Sequence, residues 1–128
     1  MSKNILLGIT GSVAASKSEI LFKNLSIDNN VKIICTDAGL LYLSDDFIKN
    51  EKIISSWEDS PGSPHIELAR WADEILIYPA TANFISKMSM GIADDLLLST
   101  ILMSNKPTYI APAMHEEMYL NSIIQQNI

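Results

Sequence analysis

The sequence holds a single cysteine, Cys35, so no disulfide can form within the chain, and a reducing, cytoplasmic setting is the simple expectation. It has no apolar segment approaching the roughly 20 residues needed to span a bilayer, so no membrane helix is expected. It is short of positive charge, with 9 Lys and Arg against 15 Asp and Glu and a net charge of −6. Nucleic acid and anionic membrane surfaces call for a basic face, so neither is expected as a partner. It also lacks long charge runs, internal repeats and low-complexity tracts. The opening MSKNILLGIT does not have the form of a secretory signal, because its apolar run is short and turns at once into Thr-Gly-Ser.

What is present is an ordinary globular balance, 48% hydrophobic and 19% charged over 128 residues, which predicts one domain, 1–128, around one core. Nearly continuous apolar runs at 4–10, 31–36, 74–78 and 108–111 read as buried strands. Helical spacing is seen over 13–25, more weakly over 38–49, then at 65–71, 82–90, 94–104 and from Met114 onward. A further short strand is expected near Ile53 and Ile54, followed by Trp57 and the loop SPGSP. Strands alternating with helices predict an α/β fold, a doubly wound, mostly parallel sheet in three α/β/α layers, Rossmann-like or flavodoxin-like. Such sheets take ligands beyond the carboxyl ends of their strands, which points to the loops after Thr10, Thr36, Tyr78 and Ala111.

The first loop, TGSVAAS, is neither a Walker A loop nor GxGxxG, because Gly11 is its only glycine. It reads either as a plain βα turn or as a cradle for a single terminal phosphate, with hydroxyls from Thr10, Ser12 and Ser16 as extra donors. In the second, CTDAG, Thr36 and Asp37 can cap a helix or face the same phosphate, and Cys35 reads as an inert core thiol. In the third, YPATANF, Pro79 is expected to end the strand. Thr81 or Asn83 can cap the next helix, while Ala80 and Ala82 leave clearance for a flat ligand. In the fourth, APAMHEEMY, Met114 and Met118 fall on one helix face, as core or as ligand contacts, and His115 can point into a cleft. His65 opens the HIELARWA helix, where the helix N-terminus disfavours an imidazolium; it is either a surface histidine or a group able to take a proton.

Taken together, ITGSVAA (9–15), HIELARWAD (65–73), PATAN (79–83), GIADDLL (91–97) and PAMHEEMY (112–119) resemble the homo-oligomeric flavin-containing cysteine decarboxylases, in the family's order and over nearly the whole chain. The class most resembled is phosphopantothenoylcysteine decarboxylase of coenzyme A biosynthesis. The resemblance implies FMN as cofactor and a cysteine-containing small molecule as substrate. It implies a homotrimer, or a dodecamer of trimers, with the flavin near the subunit interface. It assigns Gly11, Ser12 and Val13 to the phosphate loop, and Thr36, Asp37 and Ala38 to a second phosphate-side contact. Thr81, Ala82, Asn83 and Phe84, with Ala113, fall to the isoalloxazine, and Met114 and His115 to the substrate. His65 matches the active-site histidine, which in the family assists oxidation of the thiol before carbon dioxide leaves.

The chain departs from that pattern at His115, where the family has asparagine, at Tyr119 in place of tryptophan, and at Phe84 in place of threonine. Family members continue with another strand and a substrate-covering loop, which in phosphopantothenoylcysteine decarboxylases carries a reducing cysteine. The 128 residues are therefore expected to form the FMN-binding domain without that strand and loop. Three other readings stand beside the leading one: a peptidyl-cysteine decarboxylase that stops at the ene-thiol, a flavin prenyltransferase, and a non-catalytic flavoprotein subunit.

Overall fold

Leu6, Leu7 and Ile9 are all fully buried, which happens to consecutive residues of a strand only when both faces of the sheet are covered. The computed structural model, which describes residues 2–128, shows how this is achieved. Four strands, β1 (Asn4–Ile9), β2 (Asn30–Cys35), β3 (Glu74–Ala80) and β4 (Thr108–Pro112), pair in the order β2-β1-β3-β4, every pair parallel. Side chains along each strand alternate between two apolar layers. Leu6, Ile34, Ile75 and Ile77 face one layer with Phe84, Ile85 and Leu96 to Leu98. Leu7, Ile9, Ile33 and Cys35 face the other with Ala15, Phe47, Leu21 and Phe22. The first layer is built by α4 (Pro64–Trp71), α5 (Ala82–Ser89) and α6 (Leu96–Met103), the second by α1 (Ser18–Leu25) and α3 (Asp45–Asn50). This is the expected three-layer, flavodoxin-like arrangement. The chain leaves β1 toward β2 on one side and returns to β3 on the other, so β1 marks the switch point.

Several boundaries differ from the sequence expectation, each for a local reason. Residues 13–25 are not one helix: a 3-10 turn, Val13–Lys17, precedes α1. The 38–49 segment divides into α2 (Asp37–Leu40) and α3, because Ser44 takes up the N–H of Phe47 at 3.2 Å and starts a new helix. Pro79 does not end its strand. β3 runs on to Ala80 through a cis Tyr78–Pro79 bond, and the missing N–H falls inside a register shift between Ile77 and Ala80, where no ladder bond is required of it. Ile54 does add a short parallel bridge beside Ile34. The C-terminal stretch forms two short helices, α7 (Glu116–Tyr119) and α8 (Ser122–Asn127), rather than one from Met114. Met114 therefore precedes α7, packs toward the first apolar layer, and shares no helix face with Met118.

Candidate active site

The carboxyl ends of β2, β1 and β3 open onto a cleft of about 400 Å³. Its walls are Thr10 and Gly11 after β1, Thr36, Asp37 and Ala38 after β2, and Thr81, Asn83 and Phe84 after β3. Two turns meet closely here. A Cβ on Gly11 would lie 2.5 Å from that of Ala38, so only glycine lets the first loop approach the second. Thr10, only 2% exposed, joins the first loop to the third: its hydroxyl donates to the Pro79 carbonyl and accepts the N–H of Thr81 at 3.1 Å.

The capping and ligand-facing readings of the threonines turn out to be compatible. Thr36 Oγ1 accepts the N–H of Gly39 at 3.2 Å, and Thr81 Oγ1 accepts that of Phe84 at 3.1 Å. Each hydroxyl keeps its own hydrogen to donate into the cleft. In the first loop Ser12 Oγ accepts from Ala14, while the N–H groups of Gly11 and Val13 donate to no acceptor among the described residues. The cleft thus has, at one end, free amides and hydroxyl donors suited to an anionic group. Its middle has small side chains, with the buried Phe84 ring at its base.

The remaining lining is charged and was not read from the sequence. Lys87, Asp94, Asp95 and Ser55 complete the lining. Lys87 lies one helical turn beyond Asn83 on α5, on the same face, and its ammonium pairs with Asp94 at 2.9 Å; that bond pushes the lysine above its ordinary value. Gly91, at φ +71°, ends α5 and turns the chain toward these acids. Asp95 caps α6 by accepting the N–H of Leu98 at 2.7 Å; partial burial nonetheless raises its carboxyl above the usual range. Ser55 follows the Ile54 bridge, so it too stands at the carboxyl end of a strand, which the short apolar pair Ile53-Ile54 could have signalled.

Other expected site residues lie outside this cleft. Val13 projects outward, Ser12 caps the 3-10 turn, and Ala82 is buried beneath the wall. Ala113 sits beside the end of β3, its N–H donated to the Ala80 carbonyl at 2.9 Å. His115 is exposed and serves as the N-cap of α7, with Nδ1 accepting the N–H of Glu117 at 3.2 Å. Cys35 is buried, and desolvation pushes its thiol up to about 12, as expected of an inert core residue. His65 does not face the strand-end cleft. It lines a second, more open one of about 340 Å³ with Trp57, Ala93, Ser99, Leu102 and Met103. The 93–95 turn separates the two, giving Ala93 to one and both aspartates to the other.

Comparison with known proteins adds three findings. A family model described as Flavoprotein matches residues 1–128. The coenzyme A biosynthesis bifunctional protein CoaBC of Haemophilus influenzae is 38% identical over 133 residues, covering 98% of this chain and 33% of that protein. The chain thus spans about a third of the length of the curated relatives it matches. Two solved structures share the fold at 98–99% coverage of this chain. The FMN-dependent cysteine decarboxylase SpaF superposes with a TM-score of 0.88 at 31% identity over 76% of its chain. A PPC decarboxylase variant complexed with pantothenoylaminoethenethiol superposes with a TM-score of 0.86 at 30% identity over 75% of its chain.

Proposed function

The chain belongs to the flavoprotein family, and on that premise we propose that it binds FMN in the strand-end cleft and decarboxylates a cysteine carboxylate. The substrate is 4′-phosphopantothenoylcysteine, and the product 4′-phosphopantetheine, in coenzyme A biosynthesis. The observation that carries this reading is the cleft itself: free amides and threonine hydroxyls at one end, and small side chains beside Asn83 along its length, suit a phosphate tail and a flat ring.

The residues present fit that cofactor. Gly11 and Thr36, with the free backbone N–H of Val13 beside them, would hold the phosphate. Thr81, Asn83 and Phe84, with Ala82 and Ala113 behind them, would hold the ring, and Asp37 and Ala38 would add to the phosphate side beside Thr36. Bound FMN supplies a two-electron acceptor for the cysteine thiol. What this chain must supply is a proton-moving group and a hold on the substrate carboxylate. His65 is assigned the first role and His115, with Met114, the second. Because His65 lines a different cleft from the flavin residues of its own chain, we assign it to the flavin cleft of a neighbouring copy, in a cytoplasmic homotrimer or a dodecamer of trimers.

The test is direct. Purified protein is expected to carry flavin absorbance and to release carbon dioxide from 4′-phosphopantothenoylcysteine. Protein that stays colourless and takes up no FMN would sink the reading at its base. Flavin binding with carbon dioxide released from a peptide ending in cysteine, but none from 4′-phosphopantothenoylcysteine, would move the assignment to the peptidyl-cysteine class.

A further inference from the structure

Trp57 is 45% exposed, an unusual position for the largest apolar side chain unless something else requires it there. It opens the 3-10 turn Trp57–Asp59, and that turn has a fixed shape. The Asp59 carboxylate accepts the N–H of Ser55 at 2.8 Å and of Ser56 at 3.1 Å, bonds that hold its carboxyl below the ordinary range. The indole so presented meets the imidazole of His65 edge to face, with ring centroids 4.8 Å apart and planes at 73°. His65 Nδ1 is buried and makes no hydrogen bond to the described residues, which leaves Nε2 as the nitrogen open to the second cleft. A ring with no hydrogen bond of its own can only be oriented by packing, and Trp57 is the aromatic that packs on it. The same Asp59 carboxylate holds Ser55, which lines the strand-end cleft.

On the reading that His65 moves the proton, we propose that Trp57 is its positioning residue. The indole fixes the imidazole so that Nδ1 is shielded from solvent and proton exchange runs through Nε2. Asp59 acts one step further back, by shaping the turn that presents the indole.

The experiment compares Trp57→Leu and Trp57→Phe with the parent protein by two readouts. The first is the ¹H–¹⁵N long-range correlation pattern of the His65 ring, assigned by its loss in His65→Asn. Trp57→Leu is expected to move the His65 ring shifts toward those of an exposed, mobile imidazole, and Trp57→Phe to keep the parent shifts. The second is turnover: kcat is expected to fall about tenfold or more in Trp57→Leu with KM and flavin content unchanged, and to recover to within a few-fold in Trp57→Phe. An unaltered ring pattern in Trp57→Leu overturns the proposal, as does an unaltered kcat in an active enzyme. If the protein proves inactive on cysteine substrates, the decarboxylase reading fails, and the ring pattern still decides whether Trp57 orients His65.

Discussion

Thr10 sits at the end of a buried strand, yet its hydroxyl serves two loops at once, donating to the Pro79 carbonyl and accepting from Thr81. Thr10→Val keeps the shape and removes both bonds, leaving a shielded carbonyl and an amide without a side-chain partner. It is expected to destabilise the protein by about 2 kcal/mol in urea denaturation, and to weaken FMN uptake because Thr81 is released, whereas Thr10→Ser should restore both. Asp95 illustrates the opposite balance. It caps α6, but burial raises its carboxyl above 3.8, so the native state holds the proton more tightly than the unfolded chain does. Its contribution is therefore fully present below the ordinary carboxylate value and is lost as pH rises through the raised native one. Asparagine caps as well and carries no charge. Asp95→Asn is thus expected to melt at the same or a slightly higher temperature than the parent at pH 7, and to show a flatter pH dependence in the acid range. A clear loss of stability at pH 7 would mean that the charge is needed where it stands.

At the scale of elements, Gly8 is where α6 and β3 both crowd the centre of β1. A Cβ on Gly8, in the centre of β1, would lie 2.7 Å from Ile77 Cδ1 and 2.8 Å from Leu97 Cδ1. Gly8→Ala is expected to cost about 1–3 kcal/mol, read as a lowered urea midpoint with an unchanged m-value, because two branched side chains must leave their rotamers. The strands were legible because burial on both faces writes an unbroken apolar run, as in ILLGI (5–9) and ILIY (75–78). The strand-end cleft was legible for the same reason: parallel order fixes which loops share an edge. What was not legible is decided by single side chains. Ser44 breaks the 38–49 helix by capping a new one, and His115 starts α7 where a continuous helix was expected. Pro79 fits within β3 because a register shift meets it there. Lys87, Asp94 and Asp95 come to the cleft only because Gly91 reverses the chain after α5, which no spacing rule announces.

At the scale of the whole molecule, two facts bear on each other. The cleft with the phosphate donors and the cleft with His65 are distinct within one chain. The surface around the second is apolar, with Trp57, Leu102 and Met103 all half-exposed and Ile92 nearby, the kind of face that another copy covers. If neighbouring copies complete each other's sites, two defects on different chains must complement. Gly11→Asp should abolish flavin binding, since any side chain at that position meets Ala38 and this one adds negative charge at the phosphate end. His65→Asn should retain the flavin and lose turnover. Neither variant alone is expected to release carbon dioxide from the cysteine substrate. Co-expressed in equal amounts, they assemble at random, and a site pairing an intact flavin cleft with an intact histidine arises at about one interface in four, so activity should return to roughly a quarter of the parent's. Sites confined to one chain would give no recovery at any mixing ratio. The recovered activity should also fall on dilution below the dissociation constant of the assembly while the flavin stays bound, which separates loss of the neighbour's histidine from loss of the cofactor.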